Sequence, residues 1–339
     1  MNNGKSWITL DGGTTNTRAC LIAGGKTVDT ATQAVGVRNS DDPANAPVKK
    51  AVAEVLGTLC SRHGLDSASV RVVASGMIGS DAGLVNVPHV VAPASMAMAR
   101  SAMQVWHEPA YWPGRVEIYP GVKTLAADAG GSLEAHFSSA DIMRGEEVQA
   151  WGLRRLLAAT KPEILQNPWL LLWPGSHTKL IRILPDGSIG GSFTTLTGEL
   201  FAAMKSATLL KRSLGDVVGP EAFTDELINQ AAACVSRYGL ARAAFWTRVA
   251  DINGTLDAQA RTAWLSAAVT AADCQGLGRH EWLADRVEKP LLFIGGDPLR
   301  QSLYARLIAL ELGFNPEMIA PEACEQAAAI GVSCVAGLL

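Results

Sequence analysis

Residues 7–22 read Trp7-Ile8-Thr9-Leu10-Asp11-Gly12-Gly13-Thr14-Thr15-Asn16-Thr17-Arg18-Ala19-Cys20-Leu21-Ile22. An apolar run ends on an acid, a turn of glycines and hydroxyl residues follows, and a second run leaves the turn. β-Branched and aromatic residues favour strands and paired glycines favour tight turns, so the pattern predicts a strand, a turn and a strand. Gly12 and Gly13 leave room for a ligand at the backbone, where successive N–H groups can bind an anion. The motif alone also fits a surface hairpin with a solvated acid.

Asp11 stands at the end of the first predicted strand. Magnesium prefers carboxylates, water and phosphate oxygens as ligands. If the turn binds phosphate, we therefore expect Asp11 to hold Mg²⁺, mainly through bound water.

A second stretch repeats this design, and it reads Leu170-Leu171-Leu172-Trp173-Pro174-Gly175-Ser176-His177-Thr178-Lys179-Leu180-Ile181-Arg182-Ile183-Leu184. Gly175 aligns with Gly13, and Trp173 stands where the first copy has Asp11. The copies lie about 160 residues apart, far beyond the repeat periods of solenoids, so the sequence predicts duplicated domains. Two such turns that face each other across a cleft could bind one polyphosphate from both sides.

The composition limits the class of protein. The chain has 339 residues, enough for two domains with their own cores, and 48% hydrophobic and 18% charged residues are ordinary for a globular protein. A net charge of -3 gives no indication of a nucleic-acid partner, and no apolar run approaches the ~20 residues that span a bilayer. The chain shows no signal-peptide core and its six cysteines are scattered, so we expect a cytoplasmic protein with reduced cysteines.

Strands and helices are expected to alternate along the chain, which predicts an α/β protein. A strand over 70–74 leads into the loop Ser75-Gly76-Met77-Ile78-Gly79-Ser80. Ligands of open α/β sheets bind beyond the carboxyl ends of the strands, so this loop is a candidate sugar-binding loop, with a plain strand-to-helix turn as the alternative. A later buried strand, Leu291 to Ile294, ends in Gly295-Gly296-Asp297.

A helix is predicted to start within Asp141-Ile142-Met143-Arg144-Gly145-Glu146-Glu147-Val148-Gln149. Two acids in a first turn suit the helix dipole, so capping alone could explain them. Arg144, directly before them, is less easily explained by capping.

Other chemistry lacks support. No P-loop and no Gly-x-Gly-x-x-Gly after a strand is present, and the six histidines form no zinc-type spacing. Ser176 to Lys179 matches the Ser-x-x-Lys of penicillin-recognising acyl transferases, but their Ser-Asp-Asn and Lys-Thr-Gly motifs are absent.

Taken together, the motifs resemble those of the 2-dehydro-3-deoxygalactonokinases, within the hexokinase/actin-like ATPase superfamily, over nearly the full length of the chain. The stretches that carry the resemblance are Leu10 to Ala19, Ala74 to Ser80, Met143 to Glu147, Pro174 to Lys179, Phe193 to Leu200 and Ile294 to Gly296. One departure is the Gly12-Gly13 pair, where the family often has an aromatic residue before the second glycine. We expect only local repacking from it.

The resemblance implies two duplicated domains of actin/hexokinase-like (ribonuclease H-like) α/β architecture with a cleft between them. We expect an N-terminal domain over 1–142, to which 322–339 return, and a C-terminal domain over 143–321. It also implies ATP-dependent phosphorylation of the 6-hydroxyl of 2-dehydro-3-deoxy-D-galactonate, an intermediate of galactonate catabolism, with Mg²⁺ as cofactor. The alternatives are a kinase for another sugar or keto-sugar acid, and a non-catalytic ATP-binding sensor or assembly protein.

The resemblance also assigns roles to residues. Related carbohydrate kinases have a Gly-Asp-Gln-Gln helix whose Asp is the catalytic base, and here Glu146 occupies that place, with Glu147 as the second choice. Arg18 and Arg144 are both candidates to pair with the substrate carboxylate. The expected partners are a sugar acid and ATP, without nucleic acid or membrane, and a homodimer is left open. The expected ATP- and phosphate-binding residues are Gly12, Gly13, Thr14, Thr15, Asn16, Gly175, Ser176, His177, Thr178, Gly295, Gly296 and Asp297; the expected substrate-binding residues are Arg18, Ser75, Gly76, Met77, Ile78, Arg144 and Glu147.

Overall fold

The first predicted hairpin lies inside a mixed β-sheet. The computed structural model describes residues 6–39, 42, 44–126, 132–215, 219–284 and 289–339. Residues 1–5, part of the segment in which no signal-peptide core is expected, lie outside the described residues. The strands are β1 (Trp7–Gly12), β2 (Thr17–Ala23), β3 (Lys26–Gln33), β4 (Arg71–Gly76), β5 (Val90–Val91), β6 (Gln104–Trp106), β7 (Val116–Ile118), β8 (Val122–Thr124), β9 (Asp141–Met143), β10 (Trp169–Trp173), β11 (Thr178–Ile183), β12 (Ile189–Thr195), β13 (Leu292–Ile294) and β14 (Glu317–Met318).

Helices alternate with groups of strands along the chain, as the predicted α/β class requires. The helices are α1 (Ala46–His63), α2 (Met96–Ser101), α3 (Leu133–Ser138), α4 (Glu146–Leu157), α5 (Thr197–Ala207), α6 (Asp225–Tyr238), α7 (Leu240–Ile252), α8 (Ala258–Leu277), α9 (Glu281–Ala284), α10 (Pro298–Leu312) and α11 (Pro321–Val335).

Two sheets have the same strand order. The first runs β3-β2-β1-β4-β7-β6, and the second runs β12-β11-β10-β13-β14. In the first, β1 pairs antiparallel with β2 and parallel with β4; in the second, β10 pairs parallel with β13. This repeated order confirms the predicted duplicated α/β architecture. A small sheet, β5-β8-β9, completes the strand pairing of the described residues.

The chain divides into two units. Unit 1 comprises Met1–Pro168, Ile181–Phe193 and Glu322–Leu339, and unit 2 comprises Trp169–Leu180 and Thr194–Pro321. The domain limits predicted from the sequence stay a prediction.

Helix α1 shows how unit 1 forms its core. Val48, Val52, Val55 and Leu59 recur at helical spacing, and all are buried against the first sheet. Gly64 ends the helix in the left-handed conformation, and its N–H donates to the carbonyl of Cys60. The apolar pattern of the sequence therefore fixes both the packed face and the end of this helix.

Helices α4 and α11 cross at glycines in unit 1. A Cβ added at Gly331 would lie 1.7 Å from the carbonyl oxygen of Val148, and one at Gly152 would lie 1.9 Å from that of Ala327. The Trp7 indole N–H donates to the Ser333 hydroxyl at 2.9 Å, which fixes α11 on β1. The position of α4 therefore depends on backbone contacts that only glycine permits.

Helix α4 begins inside the stretch that the sequence predicts, and the residues before it form a strand that the sequence analysis did not predict. Asp141–Met143 forms strand β9, paired antiparallel with β8, and the helix begins at Glu146 after Gly145, whose φ is 116°. The ladder to β8 takes the backbone groups of 141–143, so these residues cannot join the helix. The cysteines match the prediction: all six are free thiols, four of them buried.

Candidate functional site

The ends of three neighbouring strands bring polar side chains together in unit 1. Asp11 on β1 lies opposite Arg18 on β2 and opposite Ser75 on β4. Residues directly opposite one another point to the same face of a sheet. The Ser75 hydroxyl is buried and has no hydrogen-bond partner in the described part of the chain. An unsatisfied buried hydroxyl is costly, so it suits a site that a polar ligand completes.

Glycines allow the strand ends to approach each other at Asp11. Gly76 has a φ of 89°, and a Cβ there would lie 2.6 Å from the Gly12 carbonyl oxygen and 2.8 Å from Asp11 Oδ1. A Cβ at Gly12 would lie 1.9 Å from the Ile78 side chain. A larger residue at Gly76 would displace the Asp11 carboxylate or the strand that carries it, and one at Gly12 would displace the Ile78 side chain.

The Asp11 carboxyl is electrostatically coupled to Glu146. Burial, followed by the charge of Glu146, raises the pKa of Asp11 to about 6, and the charge of Arg18 partly offsets this. Like charges raise the pKa of a carboxyl only when they lie close together. A cation placed here would relieve this repulsion, and carboxylates are the protein ligands that Mg²⁺ prefers.

Glu147 caps its own helix. Its carboxylate accepts hydrogen bonds from the Gly145 N–H at 2.9 and 2.8 Å, and its side chain is fully buried. Burial, followed by the charge of Glu146, raises the pKa of Glu147 to about 8. This carboxyl is therefore engaged with backbone, whereas Glu146, one position earlier, is only partly buried.

Hydrogen bonds hold one nitrogen of the Arg144 guanidinium and leave another without a partner among the described residues. Its Nη2 donates to the Val87 carbonyl at 2.8 Å and to His89 Nδ1 at 3.2 Å, while its buried Nη1 has no partner among the described residues. Burial, followed by the charges of Arg144 and Lys123, lowers the pKa of His89 to about 4. His89 is therefore neutral at pH 7 and can accept from Arg144. Sequence reasoning missed His89, because no local pattern marks it as a partner of Arg144.

Backbone hydrogen bonds and a close contact with Gly36 hold the turn after β1 in place. The Gly13 N–H donates to the Asn16 carbonyl at 2.8 Å, and the Arg38 N–H donates to the Thr14 carbonyl at 3.0 Å. A Cβ at Gly36 would lie 2.4 Å from the Thr14 backbone. Thr15 and Asn16 are exposed. The turn is therefore fixed in shape and open on its outer side.

In unit 2, helix α5 packs on the turn between β10 and β11. The Glu199 N–H donates to the Ser176 carbonyl at 2.8 Å, and Glu199 Oε2 lies 2.9 Å from His177 Nε2. A Cβ at Gly198 would lie 2.1 Å from the Gly175 carbonyl oxygen. Gly198 therefore lets the start of α5 sit directly on the backbone of the turn.

The Gly295-Gly296-Asp297 turn lies beside the same strand. The Gly295 N–H donates to the Leu172 carbonyl at 3.0 Å, and a Cβ at Gly295 would lie 2.2 Å from the Trp173 ring. Gly296 has a φ of 92°. Asp297 caps α10 by accepting the Arg300 N–H at 3.1 Å, a role that the sequence analysis did not assign.

A pocket in unit 2 collects several predicted nucleotide residues. Gly175, Thr178 and Asp297 line it together with the start of α5. Its apolar wall consists of Phe201, Phe223, Val269, Leu299 and Leu303. Mostly apolar concave sites with a few polar groups are typical of small-molecule binding.

A larger cavity, about 860 Å³ in volume, lies among α6, α7 and α8 and is lined by Trp246 and Trp264. None of the predicted site residues lines it.

The side chains of three predicted residues are buried, which places them less favourably for direct contact with a ligand. The Ile78 side chain is fully buried in the core beneath Gly12, and its role as a substrate contact stays a prediction. Glu147 is buried and bonded to backbone, as described above. Thr178 is buried and its hydroxyl lies 3.0 Å from the Tyr304 hydroxyl. Met77 is partly buried.

Comparisons with known proteins identify the family of the chain. A family model described as 2-keto-3-deoxy-galactonokinase matches residues 11–332. The chain is 28% identical over 162 residues to a Rhizobium meliloti protein named "Probable 2-dehydro-3-deoxygalactonokinase", and 25% identical over 208 residues to a 2-dehydro-3-deoxygalactonokinase of Escherichia coli. These matches cover 47% and 61% of this chain and 46% and 59% of the relatives, so the chain spans about half the length of the curated relatives it matches.

A solved structure has the same fold. It is described as "a putative 2-dehydro-3-deoxygalactonokinase protein from Sinorhizobium meliloti", with a TM-score of 0.74 and 20% sequence identity over 97% of this chain and 98% of that chain. No helix in the described ranges is long and apolar enough to cross a membrane. Because the family model matches nearly the whole sequence, the chain belongs to the 2-keto-3-deoxy-galactonokinase family.

Proposed function

We propose that this chain is an ATP-dependent kinase that transfers the γ-phosphoryl group to the 6-hydroxyl of 2-dehydro-3-deoxy-D-galactonate, an intermediate of galactonate catabolism. The observation that carries the proposal is the coupled pair of acids in unit 1, Asp11 at the end of β1 and Glu146 at the start of α4. A phosphoryl-transfer site needs an acid for the metal and an acid for the hydroxyl proton. Family membership supports the substrate.

The residues at Asp11 fit a magnesium ion bound mainly by water and phosphate oxygens. Among the described residues, no group of three or more His, Cys, Asp or Glu side chains could hold a metal by itself. Asp11 and Glu146 supply too few ligands to surround a metal ion with protein atoms alone. This agrees with the chemistry of Mg²⁺, which usually keeps several bound waters. Bound there, Mg²⁺ would neutralise charge on the phosphates of ATP.

Glu146 is proposed as the catalytic base. Its carboxylate would accept the proton of the 6-hydroxyl while the hydroxyl oxygen forms a bond to the γ-phosphorus. The bond from that phosphorus to the β,γ-bridging oxygen breaks, and ADP leaves with the electron pair. Glu147 is the weaker candidate, because its carboxylate already accepts from the Gly145 N–H.

Phosphate binding is assigned to the two glycine turns. The turns are Gly12 to Asn16 in unit 1 and Gly175 to Thr178 in unit 2. Their backbone N–H groups would donate to phosphate oxygens, except the Gly13 N–H, which donates to the Asn16 carbonyl. We assign the adenosine to the unit 2 pocket beside Gly295, Gly296 and Asp297, since its wall is apolar and it reaches Gly175.

The substrate carboxylate is assigned to Arg144 in preference to Arg18. The unpartnered Nη1 of Arg144 is a buried donor that a carboxylate would satisfy, and charge-assisted bonds of this kind are strong. The loop from Ser75 to Met77, with its unsatisfied Ser75 hydroxyl, would contact the sugar chain. Gly145 and Gly76 approach each other here, because a Cβ at Gly145 would lie 3.4 Å from the Gly76 Cα.

We further propose a cytoplasmic enzyme whose partners are the sugar acid and ATP, without nucleic acid. Light scattering would decide between a monomer and a homodimer.

Substrate-dependent ADP release tests the function. The purified chain with MgATP should release ADP with 2-dehydro-3-deoxy-D-galactonate and not with glucose, and ³¹P NMR should place the phosphate on C6. The corresponding gluconate-derived keto acid, assayed in parallel, measures stereochemical preference. MgATP binding without ADP release for any sugar acid would contradict the kinase and favour a nucleotide sensor.

A further inference from the structure

A buried hydrogen-bond network lies beneath the β10–β11 turn of unit 2. Tyr304 on α10 donates from its hydroxyl to Asp273 Oδ2 on α8 at 2.5 Å, and its oxygen lies 3.0 Å from Thr178 Oγ1 on β11. Thr195 and Thr197, at the junction of β12 and α5, lie beside Asp273, and their hydroxyl oxygens are 2.9 Å apart. Asp273 and Tyr304 are buried, at 7% and 3% exposed, whereas Thr195 and Thr197 are partly buried.

The proton count fixes the direction of these bonds. An ionised carboxylate only accepts, so Tyr304 donates to Asp273. Each hydroxyl has one proton, so one of Thr195 and Thr197 donates to the other and only the remaining one can donate to Asp273. Burial, followed by the charge of Asp273, raises the pKa of Tyr304 well above its usual range, so its single proton stays and is committed to Asp273. Thr178 must therefore donate to the Tyr304 oxygen. One carboxylate thus orients the hydroxyls that reach both β11 and the start of α5.

These elements are the ones that form the turn. Thr178 is the first residue after Gly175-Ser176-His177, and Thr197 is the first residue of α5, whose next two residues pack on the turn. Gly198 touches the Gly175 carbonyl, and the Glu199 N–H donates to Ser176. A shift of either Thr178 or Thr197 would therefore move the backbone of Gly175 and Ser176.

We propose that Asp273 and Tyr304 are positioning residues that hold the Gly175-Ser176-His177 turn in the shape that binds the phosphates of ATP. They act through Thr178 and Thr197, and Tyr304 also lines the unit 2 pocket to which the adenosine is assigned. The inference rests on the proposed function for the identity of the ligand, MgATP. It adds two residues to the site that no sequence motif of the chain marks.

Nucleotide affinity tests this role apart from catalysis. The Kd for MgADP and MgATP, measured by calorimetry, should rise about tenfold or more in Tyr304→Phe and Asp273→Asn, because each leaves a buried partner unsatisfied next to the turn. In steady state, the KM for ATP should rise while the KM for the sugar acid stays within about twofold.

Thr262→Val is the matched control. Thr262 lies on the same helix as Asp273, is fully buried, and bonds to the Gly215 carbonyl at 2.9 Å, away from the turn. It should lower the melting temperature without changing the Kd for MgADP. If Asp273→Asn does not fold, Tyr304→Phe, which removes one oxygen atom, decides the question.

The outcomes separate this inference from the proposed function. Wild-type turnover with unchanged nucleotide Kd in both variants would overturn the positioning role and leave the kinase intact. Wild-type nucleotide binding without turnover would contradict the kinase, and weaker binding in Tyr304→Phe would still support the positioning role. A wild-type chain that binds no MgADP or MgATP would overturn the inference. Equal loss of affinity in Thr262→Val would reduce the effect to general destabilisation and overturn it as well.

Discussion

The two glycine turns share a backbone plan but hold different side chains. In unit 1, Gly76 on β4 makes room for the Asp11 carboxylate; in unit 2, Gly295 after β13 makes room for the Trp173 ring. Gly76 ends, and Gly295 directly follows, the parallel neighbour of the strand that leads into the turn. The space that a glycine leaves beside the turn therefore accommodates a carboxylate in unit 1 and an indole ring in unit 2.

This difference indicates a division of labour. An acid beside a phosphate turn can hold a metal, whereas an indole provides packing and no ligand for Mg²⁺. We infer that the chemistry resides with unit 1 and that unit 2 supplies nucleotide binding. The following variants test this division at equivalent positions.

Asp11→Asn should have the largest effect. Asn is isosteric but uncharged, and metal stabilisation of phosphoryl transfer is worth several kcal/mol, so kcat should fall about 10³-fold or more. The measurement is kcat over a titration of Mg²⁺. Trp173→Phe, the equivalent position in unit 2, should keep kcat within about threefold and lower only the melting temperature. An unchanged Mg²⁺ dependence in Asp11→Asn would remove Asp11 from the metal role.

Arg144→Ala should come next. Truncating one partner of a buried charge pair costs about 2–5 kcal/mol, and here it should appear as a higher KM for the sugar acid. Arg18→Ala, tested in parallel, should affect KM less, because Arg18 lies opposite Asp11 on β2. If the KM for ATP rises instead, Arg144 serves the phosphates. A reversed ranking of the two variants would assign the carboxylate to Arg18.

Gly76→Ala and Gly295→Ala compare directly the spaces that the two glycines leave for Asp11 and Trp173. Alanine at Gly76 is strained at a φ of 89° and would displace the Asp11 carboxylate, so kcat should fall by up to about 10²-fold. Alanine at Gly295 meets the Trp173 ring and should cost stability without altering the Mg²⁺ dependence of kcat. Equal catalytic losses in both would contradict the division between the units.

Glu147→Gln should change the pH dependence of stability. The folded pKa of Glu147 is raised from 4.5 to about 8, so the native state retains a proton that the unfolded state has lost between these values. The free energy of unfolding of the wild type should therefore fall, by up to about 1.4 kcal/mol per pH unit for this group, as the pH rises through that window. Chemical denaturation at pH 5 and pH 8 should show a smaller fall in Glu147→Gln. Parallel pH profiles in the two proteins would show that Glu147 does not titrate in this way.

The sequence predicted the parts of the fold that local patterns determine. The apolar spacing of α1 and its glycine stop, and the strand that ends on Asp11, were legible because each depends on neighbours in the chain. Strand β9, directly before α4, was not predicted, because its pairing with β8 depends on residues about 20 positions away. Local propensity does not report such pairings.

The site shows the same limit. Asp11 and Arg144 were found from motifs, whereas His89, Asp273 and Tyr304 act through contacts that only the fold creates. The sequence also could not separate Glu146 from Glu147, since both stand in the first turn of α4. The structure distinguishes the two glutamates, because the Gly145 N–H donates to the carboxylate of Glu147. The burial of Ile78 beneath Gly12 was not predicted, because it has no signature in a loop of small residues.

The most direct test of the account is kcat for 2-dehydro-3-deoxy-D-galactonate in Glu146→Gln beside Glu147→Gln. Glutamine keeps the volume of the side chain but cannot accept the proton, and general-base catalysis contributes about 10²–10⁴-fold. Glu146→Gln should therefore lose about that factor in kcat with both KM values within a few-fold, and Glu147→Gln should keep kcat near the wild-type value. The opposite pattern would make Glu147 the base, and near-full kcat in both variants would contradict a catalytic role for the start of α4.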